Sequence, residues 1–407
     1  MKPLRIGVVG AGTGGLVSAL LLARDGHDVE VVERVTDPRP IGAGILMQPL
    51  GQVVLADLGL AEELTRCSTP VRRIEGRTRR GRTVLAFGYA DAGRSEVGLG
   101  VHRGDLFELL WAAATRAVSI RTGVAVDDVR HESDGWRLVT PSDAELGPYD
   151  LVVAADGARS RIRHRLRVAT KDVGYPYGCI WAVVPDPDGL AGDVLWQRYG
   201  DTRTTLGILP TGLGQASIFW SSRTRTIDAE LAAGPAALLE RARPFAGHLG
   251  ILVERIAANG ILAARYRDVV VPAPIAIRGP HGVVLVGDAA HAMSPQLGMG
   301  ASLALADAWS LARSLRSHPD LPSAVRAHVA NRRSHVRWYT WLSRLMTPVF
   351  QSDLVPIGWA RDLVFAPAGR VPLVRRQFAA ILLGEQTSPW STWPPAAPGG
   401  PLGRPSR

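Results

Sequence analysis

Short apolar runs of four or five residues recur along the chain, and each is too short for a core helix. They occupy positions 5–9, 29–32, 151–155 and 283–286. Runs of this length are typical of buried strands in parallel sheets. Longer apolar stretches at 16–23 and 301–315 predict helices. The pattern therefore predicts an α/β fold, with an open parallel sheet covered by helices.

Between residues 177 and 222 the pattern changes to closely spaced short strands. Segments 179–184, 193–199, 204–209 and 215–221 are separated by turn residues, which predicts an antiparallel sheet. Helices are predicted at 227–242, 245–255, 324–345 and 373–383. The sequence after residue 387 is rich in Pro and Gly, a composition that predicts disorder.

A glycine-rich turn follows the first predicted strand. Gly10 allows a tight turn, Gly12 lets the backbone approach a pyrophosphate, and Gly15 lets the next helix pack closely on the strand. The N-terminus of that helix offers N–H groups to phosphates. Glu33 lies 18 residues after Gly15, where a carboxylate can accept hydrogen bonds from ribose hydroxyls. A glycine turn in an unrelated βα unit is the alternative, and this motif alone leaves FAD and NAD both open.

A second glycine-bearing loop follows the strand at 283–286, and it favours FAD. Asp288 at the end of that strand can accept hydrogen bonds from a ribityl chain. Gly298 and Gly300 allow backbone N–H groups to approach a flat ring, and the next helix can stabilise negative charge on a reduced flavin. A helix N-cap is the alternative role for Asp288. His291 is interpreted as a structural part of the loop rather than as a general base.

A third signature, at 156–163, follows the strand at 151–155 and contains Asp156, Gly157, Ser160 and Arg163. With the two glycine loops, it makes the chain resemble the group A FAD-dependent monooxygenases, the para-hydroxybenzoate hydroxylase-like family, over nearly all of residues 1–385. The resemblance assigns this motif to FAD and NAD(P)H binding. It implies non-covalent FAD, NAD(P)H as co-substrate, and hydroxylation or epoxidation of an aromatic or other electron-rich small molecule by O2 through a flavin C4a-hydroperoxide.

The resemblance also implies a Rossmann-like FAD-binding domain that is interleaved with an antiparallel-sheet substrate domain and followed by C-terminal helices. The FAD-binding domain is predicted at 1–70, 101–168 and 274–330, the substrate domain at 71–100 and 169–273, the helices at 331–386 and a disordered tail at 387–407. The predicted cofactor-binding residues are Gly10, Gly12, Gly14, Gly15, Glu33, Arg34, Gly44, Ile45, Arg103, Val126, Asp156, Asp288, Pro295, Gly298, Gly300, Ala301 and Ser302.

The sequence departs from the family pattern in two places. Ser302 stands where the family has Asn, and its hydroxyl can still bond a flavin carbonyl. Pro40 and Ile41 stand where some relatives have an arginine that handles the nicotinamide. The sequence therefore predicts FAD binding but leaves the mode of NAD(P)H binding open.

The predicted antiparallel sheet is expected to face the flavin and carry the substrate. Alternation along its strands would turn about half of its aromatic residues, Trp181, Trp196, Phe219 and Trp220, toward a planar substrate, with ordinary core packing as the favoured alternative. A phenol hydroxylase needs help in removing the phenol proton. Tyr199 is the first candidate for this role and Arg198 the second, and the sequence leaves open which of them faces inward.

Composition excludes several other classes of protein. The net charge is +10, but 45 of the 47 basic residues are arginine, and their densest cluster, at 72–82, has no interleaved aromatics, so we expect no nucleic-acid partner. We predict no metal site and no transmembrane segment, and the two cysteines indicate a cytoplasmic enzyme. We expect a monomer or a homodimer. Two alternatives stay open: a non-oxygenating FAD oxidoreductase such as a lipid or prenyl reductase, and a flavin-binding protein without turnover.

Overall fold

The computed structural model describes residues 1–393. Its strands, in chain order, are β1 (Arg5–Val9), β2 (Asp28–Val32), β3 (Gly44–Met47), β4 (Ser68–Val71), β5 (Arg73–Thr78), β6 (Thr83–Gly88), β7 (Gly98–His102), β8 (Ser119–Arg121), β9 (Asp128–Glu132), β10 (Gly135–Val139), β11 (Glu145–Tyr149), β12 (Leu151–Ala154), β13 (Lys171–Pro185), β14 (Val194–Tyr199), β15 (Thr205–Gly212), β16 (Gln215–Arg223), β17 (Ile261–Val270), β18 (Ile275–Arg278), β19 (His281–Leu285), β20 (Gln386–Ser388) and β21 (Ser391–Thr392).

The α-helices, in chain order, are α1 (Thr13–Arg24), α2 (Pro49–Asp57), α3 (Ala61–Arg66), α4 (Arg103–Ala117), α5 (Arg161–Leu166), α6 (Ile227–Ala232), α7 (Gly234–Ala242), α8 (Gly250–Glu254), α9 (Asp288–His291), α10 (Gly300–Ser317), α11 (Leu321–Phe350), α12 (Val355–Ala368) and α13 (Pro372–Leu383). Among the described residues, none of these helices is long and apolar enough to span a bilayer.

A six-stranded sheet contains all four of the apolar runs. Its order is β18-β19-β12-β1-β2-β8, and every neighbouring pair is parallel except β18 with β19. Helices α1 and α10 pack on one face, and the antiparallel meander β9–β11 packs on the other. Because both faces are covered, the central strands are apolar throughout. The predicted Rossmann-like α/β fold is confirmed.

A seven-stranded sheet contains the strands predicted between residues 177 and 222. Its order is β17-β13-β16-β15-β14-β5-β6, so strands from 73–88 lie beside strands from 171–270. One face packs on α7 and α8 as a second core. A small sheet, β3-β7-β4, lies between this sheet and the six-stranded sheet, and the buried Gly44 N–H donates to Ser217 Oγ at 2.6 Å. This bond ties Gly44, a predicted cofactor-binding residue, to the seven-stranded sheet.

Some predicted elements differ from the structure in their bounds. The helix predicted at 227–242 is split into α6 and α7 before Pro235, and the helix predicted at 245–255 is reduced to 3-10 turns and α8. Gly247 adopts φ +57°, which interrupts the second helix. Residues 387–393, predicted to be disordered, form a hairpin that buries Trp393, and the rest of the predicted tail lies outside the described residues.

Candidate active site

The three sequence signatures meet at one edge of the six-stranded sheet. Strands β2, β1, β12 and β19 are neighbours and parallel, so the segments that follow them lie side by side. This is the edge at which open α/β sheets bind ligands. Glu33 Oε2 accepts a hydrogen bond of 2.8 Å from Ala11 N, which places its carboxylate on the glycine turn.

The glycine positions differ in how much space surrounds them. A Cβ on Gly15 would overlap the Gly10 carbonyl oxygen, so α1 packs directly against the turn. A Cβ on Gly12 would meet no atom within 4 Å. Gly12 therefore borders free space at the N-terminus of α1, as a pyrophosphate site requires.

The 156–163 motif is held to the Asp288 loop by Arg163, which is fully buried. Its guanidinium donates to Ala158 O at 2.8 Å, to Ala289 O at 2.9 Å and to Asp172 Oδ2. Burial opposes ionisation of Asp172, but hydrogen bonds from Arg163 and Arg267 outweigh it and lower the pKa of that carboxyl. Arg163 therefore fixes the relative position of two of the three signatures.

Two carboxylates at this edge fit an FAD in chemistry and position. Asp156 Oδ2 accepts hydrogen bonds from Arg161 N and Ile162 N, but its Oδ1 is buried without a partner in residues 1–393. Asp288 is exposed between buried neighbours, and its carboxylate has no partner in the described chain. Gly287 rather than Asp288 is the N-cap of α9, so the capping alternative is wrong.

A cavity of about 600 Å³ runs from this edge to the seven-stranded sheet. The predicted cofactor residues on its wall are Gly44, Ile45, Arg103, Asp288, Pro295, Gly298, Gly300 and Ala301. The 18-residue helix α10 begins at Gly300 and directs its N-terminus toward the cavity. A flavin ring in this space would lie against backbone N–H groups and the positive end of a helix dipole.

The remaining predicted cofactor residues lie off this cavity. Gly10, Gly12, Gly14, Gly15, Glu33 and Asp156 surround the glycine turn and the strand edge, where the ADP half would bind, and Arg34 is exposed beside Glu33. Val126 is buried against the sheet in the core that contains Val9 and Val32. Ser302 is fully buried, and its hydroxyl accepts from Gln48 N at 3.2 Å rather than facing the cavity.

The two catalytic candidates lie on opposite faces of β14. Tyr199 lines the cavity together with Gln197, and the Tyr199 hydroxyl donates to Gln197 Oε1 at 2.5 Å. Burial raises the pKa of Tyr199 above its ordinary value, so the side chain is a neutral phenol at neutral pH. Arg198 is not on the cavity wall; its guanidinium lies 3.4 Å from Thr78 O. The structure therefore brings Tyr199, but not Arg198, to the cavity.

The aromatic residues of this sheet divide between its two faces. Trp181 and Phe219 line the cavity with their ring centroids 5.0 Å apart. Trp196 and Trp220 pack on the opposite face, in the core formed with α7 and α8. Half of the set therefore faces the cavity, and the other half is ordinary core.

A buried charge network below the Asp288 loop was not predicted. Asp307 of α10 accepts from Gly287 N at 2.9 Å, from His291 Nε2 at 2.6 Å and from Arg332 Nε at 2.7 Å. Burial opposes ionisation of Asp307, but its interactions with His291 and Arg332 outweigh that and lower its pKa well below the usual range. The sequence signal that could have revealed this network is Asp307, the single acidic residue within the apolar stretch 301–315. His291 is buried here, in the structural role predicted for it.

We expect stability to decrease as the pH falls from 7 toward 4, because His328 is buried beside this network. Burial lowers the pKa of His328 to about 4, against about 6.5 in the unfolded chain. The unfolded state then binds more protons between these values, which removes up to about 3 kcal/mol. Urea unfolding at several pH values should show that the free energy of unfolding falls as the pH decreases. In His328→Gln the slope of this dependence should correspond to about one fewer proton taken up on unfolding. The exposed His164→Gln is the matched control, and an unchanged slope in His328→Gln would contradict the prediction.

Comparison with known families agrees with this geometry. Residues 4–222 and 278–320 match the family model described as "FAD binding domain". Together with the geometry of the candidate site, this match defines the chain as an FAD-dependent oxidoreductase. The chain belongs to the para-hydroxybenzoate hydroxylase-like family of FAD-dependent aromatic monooxygenases, which use NAD(P)H as co-substrate. This assignment favours oxygen insertion over the two alternative functions.

Several characterised proteins are similar over most of their length. The chain is 31% identical to 3-amino-4-hydroxybenzoate 2-monooxygenase of Streptomyces cremeus, covering 80% of this chain and 82% of the relative. It is 30% identical to 2-heptyl-3-hydroxy-4(1H)-quinolone synthase of Pseudomonas aeruginosa, covering 75% and 79%. The structure of Klebsiella pneumoniae HpxO with FAD and uric acid shares the fold, with a TM-score of 0.78, 23% identity and coverage of 93% and 97%.

Proposed function

We propose that this monooxygenase hydroxylates a neutral, planar, largely apolar aromatic substrate held between the flavin and the seven-stranded sheet. The observation that carries the proposal is the charge distribution on the cavity wall. Among residues 1–393, the charged side chains on this wall are Arg103 and Asp288, both at the cofactor end. A buried carboxylate needs a cationic partner, so the substrate end disfavours an acid. FAD, when bound, supplies the redox chemistry and activates O2.

The far end of the cavity is lined by aromatic rings from the C-terminal helices. Phe350 and Phe365 have ring centroids 5.8 Å apart, and Phe87 stacks on Phe378 at 5.3 Å. Arg361 lies behind this wall, paired with Asp362 at 2.8 Å. Of the relatives named above, one is named for a quinolone with a heptyl chain and another for a hydroxybenzoate. The uncharged far end of the cavity favours the former type of substrate.

We infer that Gln197 and Tyr199 provide the polar contact for the substrate's hydroxyl or carbonyl group. The Tyr199 hydroxyl holds the Gln197 carbonyl oxygen, which leaves the Gln197 amide N–H groups available to the cavity. As a neutral phenol, Tyr199 can donate a hydrogen bond or relay a proton but cannot act as an anionic base. The other cavity residues exclude water from the reacting groups.

The substrate class can be tested with matched pairs of compounds. A naphthol should stimulate NAD(P)H oxidation and incorporate label from isotopically labelled O2, and the matching hydroxynaphthoic acid should be at least tenfold less effective. Burying the added carboxylate without a partner accounts for the difference. Equal or better turnover of the acid would contradict the proposed neutrality. NAD(P)H oxidation without label in the product would indicate a non-oxygenating enzyme instead.

Tyr199→Phe should leave FAD binding nearly unchanged, because the variant keeps the ring and alters no cofactor contact. It leaves the Gln197 carbonyl oxygen without its donor, which should lower the free energy of unfolding by ~1–3 kcal/mol at most. Loss of a substrate contact of the same size should slow hydroxylation roughly 5- to 150-fold. More of the NAD(P)H consumed should appear as hydrogen peroxide. Arg198→Gln, on the opposite face, is the control and should behave as wild type. Unchanged rate and coupling in Tyr199→Phe would remove Tyr199 from the mechanism.

A further inference from the structure

Helix α12 presents its apolar side to solvent. The exposed residues follow a helical spacing and are all apolar: Pro356, Trp359, Ala360, Leu363, Val364 and Pro367. Trp359 is 69% exposed and Leu363 is 71% exposed. The opposite side carries Arg361, which is buried over the Tyr199 ring at 4.6 Å. This arrangement reverses the usual amphipathic pattern and leaves a contiguous apolar surface.

Two exposed cations follow α12 along the chain. Arg370 and Arg376 are exposed, and within residues 1–393 neither side chain has an ion pair or hydrogen bond. The neighbouring acids are already engaged, since Asp362 pairs with Arg361 and Asp353 pairs with Arg223. This part of the chain therefore combines exposed apolar side chains on α12 with two unpaired cations that follow them. We call these eight residues, 356, 359, 360, 363, 364, 367, 370 and 376, the α12 surface.

The α12 surface covers the substrate cavity. Phe365 of α12 lines the cavity from the inside, as do Phe378, Ile381 and Leu382 of α13. The same helix thus has one side on the cavity and the other side in solvent. An apolar compound held at the outer side would need to cross only this layer of helices to reach the cavity.

We propose that the α12 surface docks on the surface of a lipid bilayer that contains anionic lipids. Interfacial helices combine an apolar face, which enters the acyl boundary, with basic residues, which contact anionic headgroups. A helix of 14 residues is about 21 Å long, too short to cross a hydrocarbon core of about 30 Å. A second copy of the chain is disfavoured, because two-fold pairing of this surface would bring its unpaired arginines together.

Sedimentation with lipid vesicles tests the proposal on the FAD-loaded full chain. The protein should bind vesicles of phosphatidylcholine with one-third phosphatidylglycerol, and bind pure phosphatidylcholine vesicles much more weakly. Trp359→Gln with Leu363→Gln should weaken binding more than tenfold. Arg370→Gln with Arg376→Gln should weaken it about 25-fold at low salt, at roughly fivefold per arginine. Both double variants should keep wild-type FAD content and wild-type NAD(P)H oxidation with a water-soluble substrate.

Matched controls use exposed residues elsewhere in the fold. Ile251→Gln replaces an apolar residue that is 62% exposed, and Arg116→Gln with Arg326→Gln removes two exposed arginines; both should bind as wild type. Absence of vesicle binding, or equal binding to both kinds of vesicle, would overturn the proposal. So would a dimer in solution that Trp359→Gln with Leu363→Gln dissociates, because the surface would then belong to a second copy. The vesicle assay needs no turnover, so its outcome is independent of the proposed substrate class.

Discussion

Gly12→Ala should give a protein that folds normally but binds FAD poorly. A Cβ at this position meets no protein atom within 4 Å, and Gly12 adopts an ordinary extended φ of −74°, so the apoprotein should lose little stability. The methyl group would occupy the space through which the backbone approaches a pyrophosphate. Overpacking of this kind costs ~1–3 kcal/mol, which weakens FAD binding roughly 5- to 150-fold. Flavin fluorescence titration of the apoprotein measures the affinity, and urea unfolding measures the stability.

Alanine variants of two other glycines serve as controls for this experiment. Gly15→Ala should destabilise the apoprotein itself by about 3 kcal/mol, because its Cβ would overlap the Gly10 carbonyl oxygen and neither backbone can move freely. Gly250→Ala also adds a methyl group to open space, but on α8, and should change neither affinity nor stability. Wild-type FAD affinity in Gly12→Ala would show that the pyrophosphate does not approach this turn.

The cofactor edge could be predicted because it depends on local sequence. Each short apolar run is followed directly by the residues that would contact FAD, and parallel pairing of β2, β1, β12 and β19 brings those residues together. Glu33 and Asp288 could therefore be placed without knowledge of long-range contacts. Ser302 could not, because its hydroxyl partner, Gln48 N, is 254 residues away in sequence.

The cavity-facing side of the seven-stranded sheet was harder to predict. Alternation along a strand shows that every second residue faces the same way, but not which residues face the cavity. Tyr199 and Arg198 are adjacent on β14, and only the pairing of β14 with β15 and β5 determines which faces the cavity. Helix α12 lies within the predicted C-terminal helical segment 331–386, but its own bounds were not predicted. Gly358 and Pro367 interrupt the helical pattern, and most of its exposed residues are apolar, the reverse of the usual pattern.

Asp307→Ala is expected to have the largest effect on stability. It removes the carboxylate that neutralises the buried Arg332, and leaving such a charge unpaired costs about 3–5 kcal/mol. The variant also leaves the Gly287 N–H without its acceptor. Because Gly287 directly precedes Asp288, FAD binding should weaken as well. Urea unfolding of the purified variant gives the first quantity, and flavin titration gives the second.

The double variant Asp307→Ala with Arg332→Met separates lost pairing from lost packing. If the unpaired guanidinium causes the damage, replacing it with an apolar side chain of similar length should restore part of the stability, and the double variant should lose less than the sum of the single variants. His291 would keep its position in the loop but lose its 2.6 Å bond to Asp307 in both backgrounds, so any defect in FAD binding that persists in the double variant arises from the Gly287–His291 segment. Strict additivity of the two single variants would contradict the account, because it would mean that Asp307 and Arg332 stabilise the fold independently.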